Sequence, residues 1–268
     1  MRFLFMDLYR LLKSKSTYII TGILFVIVTA LSLFIIKIQD LMFLLGGQQA
    51  MDEFNETLEE SGGMPVLDFM SFYSLPFLFL PLFLLIITCL LISSEFQSGS
   101  IKNTYPKQYF SLQIVLSKIA AVAIWELVVM GLLILPALLC CALVHNFSLG
   151  CTLPELIRMM AMHWFVDIAF ASFLVCIGCI LRSTAATLTV AFVIHFTKGM
   201  ALGVADMLLH KIKVPESFNL SEYTISAQRD KLAISMSGKK ITEILVITGC
   251  WLAVTLLISE VNMKHRDI

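Results

Sequence analysis

Between two long apolar runs the chain reads Ser93-Ser94-Glu95-Phe96-Gln97-Ser98-Gly99-Ser100-Ile101-Lys102-Asn103. The string is short, polar and charged. On its N-terminal side 72–93 is apolar, and on its C-terminal side 114–144 is apolar for 31 residues. About 20 such residues suffice to cross a bilayer as a helix. The string therefore joins two spans on one side of a membrane, and the rest of the chain repeats that pattern.

Composition agrees. Of 268 residues 59% are hydrophobic and 14% charged, and the mean hydropathy is +0.90. Soluble domains are about 45–50% apolar and about 25% charged. The sequence predicts an all-α, polytopic membrane protein forming one domain over 1–268. Its spans are 18–36, 72–93, 114–144, 159–181, 184–204 and 241–259. Net charge is zero, which gives no footprint for nucleic acid. Six of the seven cysteines lie in apolar runs, where they read as small packing residues rather than a disulfide framework. No cleavable signal peptide is expected.

Residues 1–16 form an amphipathic segment. Asp7, Arg10, Lys13 and Ser14 follow helical spacing on one face, among bulky apolar residues. Such a basic helix lies in the membrane interface. The external loop 37–71 is acidic, with Asp40, Asp52, Glu53, Glu56, Glu59, Glu60 and Asp68. Gly46-Gly47 and Gly62-Gly63 are expected to break it, leaving room for a short helix over about 48–60. Pro76 and Pro81 predict an irregular start to the second span, and Pro136 a kink in the third. Only Arg182-Ser183 separate spans four and five, which demands a tight antiparallel hairpin.

Six spans place both ends on one side. If that side is cytoplasmic, it holds Arg2, Arg10, Lys13, Lys15, Lys102, Lys107, Lys118, Arg182, Lys264 and Arg266. The short outer loops hold only Lys37 and Arg158, although the segment before the last span adds six more basic residues. Positive charge near the first spans dominates orientation, so the termini and the Glu95 segment (94–113) are expected to be cytoplasmic.

Five ionisable residues lie inside spans: Glu126, His163, Asp167, His195 and Lys198. Each costs roughly 2.5–3.5 kcal/mol at mid-bilayer, so each needs a partner or water. His163 and Asp167 share a helical face, and the hairpin makes Asp167–Lys198 or Asp167–His195 pairing feasible. The group reads as a lining of a translocation path or as an interhelical clamp. No metal site is expected, because the spacing lacks a ligand set.

The Glu95 string resembles the segment after the second span in type-2 ABC-transporter permeases. Members commonly read Glu-aromatic-x-x-Gly-Thr/Ser-Ile-Lys/Arg-Asn there, and here Glu95, Phe96, Gly99, Ser100, Ile101, Lys102 and Asn103 match. Pro106-Lys107-Gln108-Tyr109 replaces the family's usual Gly and Ser-Arg. The resemblance implies that residues 1–16 are an elbow helix and that 94–113 is a cytoplasmic coupling helix docking on a separate ATPase subunit. It further implies two ATPase copies, a second identical or homologous permease, and export of an amphipathic peptide, antibiotic or lipid-like substrate, as in antimicrobial-peptide immunity and drug-efflux permeases. No Gly-x-x-x-x-Gly-Lys-Ser/Thr run occurs, so ATP and Mg are expected on the partner and no catalytic residue in this chain. Two other readings stand beside this one: an intramembrane enzyme, and an ion-coupled secondary transporter. Both would use Glu126, His163, Asp167 and Lys198.

Overall fold

The computed structural model describes residues 2–60, 69–97, 111–144, 150–212, 219–232 and 236–265. Among them are the helices α1 (Arg2–Lys13), α2 (Lys15–Glu60), α3 (Phe69–Ser74), α4 (Pro76–Gln97), α5 (Ser111–Leu132) and α6 (Ile134–Val144). They are followed by α7 (Leu153–Leu181), α8 (Thr184–Lys211), a 3-10 turn (Leu220–Tyr223), α9 (Ile225–Asp230) and α10 (Gly238–His265). The protein is all-helical. Lipid offers backbone groups no hydrogen bonds, so an apolar run must satisfy them within itself.

Among the described residues, six stretches are long and apolar enough to span a membrane: Lys15–Ile38, Phe72–Ile92, Leu112–Val144, Leu153–Leu181, Thr184–Leu209 and Gly238–Met263. Prolines set two of the interruptions. α3 ends at Ser74, and Pro76 opens α4 in the first helical position, where its missing N–H costs nothing. Leu133 separates α5 from α6, and Pro136 follows three residues later. The proline ring removes the hydrogen bond to the carbonyl of residue 132 and crowds it.

The first loop differs from expectation. α2 continues without a break to Glu60, so 37–60 is helix rather than loop, and Gly46-Gly47 does not interrupt it. Each glycine costs about 1 kcal/mol in a helix interior, too little to stop one already nucleated by an apolar span. Within that span Thr21, Thr29 and Ser32 donate to the carbonyls of Thr17, Phe25 and Val28, at 2.8, 2.8 and 2.9 Å. The hydroxyls are thereby satisfied inside the helix.

The chain divides into two compact units. One comprises Lys15–Phe83 and Leu127–Leu153. In it α6 packs on α2 and α3. Phe69, Tyr73 and Phe77 form an aromatic ladder with 5.5 Å between successive ring centroids. The buried Tyr73 hydroxyl donates to the Met130 carbonyl at 3.3 Å.

The other unit comprises Met1–Ser14, Leu84–Glu126 and Pro154–Ile268. α7 is central to it, with fourteen of its residues buried, whereas α8 is mostly exposed. At one end of α7, Ile92, Ile114, Val115, Ile119, Val175, Cys179 and Met263 form an apolar cluster, joined by Phe3, Met6 and Phe96. Towards the other end, Met162, Val166 and Ala169 pack with Ile225, Met236 and Ile244. Between them the Ser172 and Thr255 hydroxyls bond at 2.7 Å, tying α7 to α10.

Candidate functional site

Two places bear on function, both within the second unit described. The first is the end of α4. Of the string 93–103, Gly99, Ser100, Ile101, Lys102 and Asn103 lie outside the described residues, as does the Glu95 side chain. Phe96 is described. The Arg182 guanidinium sits over its ring, 5.4 Å from the centroid. Arg182 lies in the two-residue link between α7 and α8 and has a positive φ of 53°, the left-handed conformation that reverses the chain. Its N–H closes α7 on the Gly178 carbonyl at 2.9 Å. The expected tight hairpin is present, and its turn residue touches the string.

The apolar cluster at this end contains the last turns of α4, α7 and α10, the first turns of α5, and α1. Alternating spans put those termini together: the N-terminal helix, the ends of spans two, four and six, and the start of span three. α1 is held in place by polar bonds. Asp7 accepts from Ser117 Oγ at 2.7 Å and from Lys118 Nζ at 3.3 Å, with all three side chains buried. This corrects the reading of α1, in which Asp7 shared a polar face with Arg10 and Lys13. Asp7 faces inward, and the exposed residues of the helix are Phe5, Tyr9, Leu12 and Lys13.

The second place is the buried polar group at mid-span. Glu126 and Asp167 are both fully buried and lie within side-chain hydrogen-bonding range of each other. His163 is buried one turn away on α7. Asp167 Oδ2 accepts from Arg229 Nη2 at 2.8 Å. Neither Lys198 nor His195 pairs with Asp167; the pairing the hairpin made feasible is taken by a residue of α9. Lys198 instead lies in the field of Asp230, and His195 rests against Phe170 and Phe196.

Sequence reasoning missed Arg229 because it lies outside every span. α9 is only six residues long, with Thr224 as N-cap accepting from the Ala227 N–H at 3.3 Å. The segment folds back because Asp206, near the end of α8, accepts from the backbone N–H groups of Leu220 (2.6 Å) and Ser221 (3.3 Å). The 3-10 turn is pinned again where Trp251 Nε1 donates to the Tyr223 carbonyl at 2.7 Å. The one signal in the sequence was an Arg-Asp pair in a polar segment next to two spans carrying buried ionisable groups.

The family model for ABC-2 family transporter proteins matches residues 4–268. The chain belongs to the ABC-2 transporter family. Six spans and an all-helical fold fit a type-2 ABC permease. This ABC-2 protein is thus the transmembrane subunit of an ABC transporter, a multi-pass membrane protein whose family implies a partner ATPase subunit. As an ABC-2 permease it is a transport subunit, not itself catalytic. No curated protein matches the chain.

Proposed function

We propose that this ABC-2 permease is the membrane half of an ATP-driven exporter that moves an amphipathic peptide, antibiotic or lipid-like substrate across the cytoplasmic membrane. ATP and Mg bind to two copies of a separate ATPase subunit. A second permease subunit, identical or homologous, completes the path. Both termini and the segment 94–113 face the cytoplasm. The segment acts as the coupling helix, and Glu95, Phe96, Gly99, Ser100, Ile101, Lys102 and Asn103 make or shape its contact with the ATPase. α1 lies flat in the cytoplasmic interface with Phe5, Tyr9 and Leu12 towards lipid.

One observation carries this reading. α1 and the ends of α4, α5, α7 and α10 meet in one apolar cluster, and Phe96, the aromatic of the string, belongs to it. A push on 94–113 would therefore be delivered to four spans at once. Coupling requires that kind of rigid connection between a docking element and several helices. Arg182 over Phe96 adds the α7–α8 turn to the same assembly.

The test is affinity purification of the tagged chain from its native membrane in mild detergent, with mass spectrometry of its companions. A stoichiometric soluble chain with a P-loop supports the proposal, and Glu95→Ala with Lys102→Ala should then uncouple its ATP hydrolysis from transport. If no ATPase accompanies the chain, the proposal fails.

A further inference from the structure

Asp7 is the only acidic residue of α1, and the fold removes it from the surface. Its side chain is 0% exposed and is bonded to Ser117 and Lys118 of α5. What α1 presents outward is therefore apolar and positive. Phe5 is 68% exposed, Tyr9 61% and Leu12 51%. Lys13 is exposed and Arg10 half-exposed. The two basic residues are three apart, which makes them neighbours on the helix surface. Lys13 Nζ lies over the Tyr9 ring, 5.6 Å from its centroid.

The inward side of α1 is already taken. Phe3 and Met6 pack on the apolar cluster that contains Phe96, and Leu11 is buried. The Asp7–Lys118 pair thus fixes which face looks out. That face has the two parts an interfacial helix needs: bulky apolar residues to enter the acyl boundary, and cations at headgroup height. Tyrosine favours the same depth. A lysine stem laid along an aromatic ring keeps its ammonium at the polar edge.

Charge then selects the occupant. With Asp7 neutralised inside the protein, no acid of α1 offsets Arg10 and Lys13. Their complement is a headgroup with a net negative charge, and a zwitterionic headgroup matches them less well. A second copy of the same face would bring like charges together.

We infer that the outward face of α1 binds anionic phospholipid, with Arg10 and Lys13 on the headgroup phosphate and Phe5, Tyr9 and Leu12 in the acyl boundary. This rests on the reading above, in which α1 lies in the cytoplasmic interface, and adds which lipid it takes there.

The experiment uses the permease with its ATPase in nanodiscs of mixed phosphatidylglycerol and phosphatidylcholine. One lipid or the other carries brominated acyl chains, which quench tryptophan on contact. Leu12→Trp places the reporter on the face, and the three natural tryptophans, measured in the chain without that substitution, give the baseline. Phosphatidylglycerol should be enriched at the reporter by roughly fivefold for each basic residue. Arg10→Gln with Lys13→Gln should abolish most of the enrichment, and Lys13→Arg should retain it. Salt at about 1 M, where the Debye length is about 3 Å, should reduce it in the chain that keeps both basic residues. The salt measurement decides even if the double variant does not fold.

Equal quenching by the two brominated lipids overturns the inference. So does an enrichment that survives the double substitution in a folded protein, or one that salt does not change. Quenching by neither lipid in the complex, regained when the ATPase is removed, also overturns it, because the face is then covered by the ATPase. The lipid measurement is repeated on the permease alone. If no ATPase accompanies the chain, the permease reading falls, and the lipid result on the permease alone still decides this inference.

Discussion

Asp7 and Lys118 stand 111 residues apart in the chain and form an ion pair of 3.3 Å in which neither side chain is more than 1% exposed. The pair fastens the N-terminal helix to α5, seven residues after α5 begins. Removing one partner of such a pair leaves a buried charge without compensation, which costs about 3–5 kcal/mol. Asp7→Ala should therefore lower the unfolding temperature of the purified permease sharply. Asp7→Leu with Lys118→Met should recover most of the loss, because a well-packed apolar pair can replace a buried ionic one. A double variant no more stable than Asp7→Ala would refute this account.

Gly178 on α7 faces Ile92 on α4, and a methyl group built on it would collide with the isoleucine side chain. Small residues let membrane helices approach this closely. Gly178→Ala should destabilise by about 1–3 kcal/mol, the usual cost of overpacking. Ile92→Ala in the same chain should relieve the clash, seen as partial recovery of thermal stability in detergent.

Arg182 joins two roles that substitutions can separate. Its positive φ costs a non-glycine residue about 1–2 kcal/mol, while its guanidinium holds Phe96 with about 0.5–1 kcal/mol or more. Arg182→Gly should keep or raise stability yet weaken the coupling of ATP hydrolysis to transport. Arg182→Lys should retain much of the coupling. Equal coupling in all three proteins would show that the contact with Phe96 is incidental.

Ser172 and Thr255 share one hydroxyl hydrogen bond across α7 and α10. Bonds of this kind average about 0.6 kcal/mol in membranes, with a maximum near 1.7. Ser172→Ala should fall in that range in a reversible unfolding assay. Thr255 also donates to the Trp251 carbonyl at 2.9 Å and is thus not orphaned by the change.

Much of the fold was legible because it is local. The spans follow from apolar length, the break before α4 from Pro76, and the break near α6 from Pro136. The α7–α8 hairpin follows from a two-residue link. Two readings went astray for one reason. The polar stretch after residue 37 suggests a loop, and helical spacing groups Asp7 with Arg10 and Lys13, because sequence polarity does not show where a polar residue finds its partner. A helix already nucleated tolerates polar residues and glycines beyond its apolar span. A single carboxylate can turn inward when a cation waits for it on another helix.

The sequence by itself determined that this protein crosses a membrane in helices, since backbone groups in lipid must find partners within their own segment. It also supplied the polar string and the buried ionisable residues. Only the tertiary structure decided which charges meet. Asp167 pairs with Arg229 rather than Lys198, and Asp7 with Lys118 rather than water. Helical spacing fixes which residues share a face of one helix. It cannot fix which face of another element, 62 or 111 residues away in the chain, is packed against it.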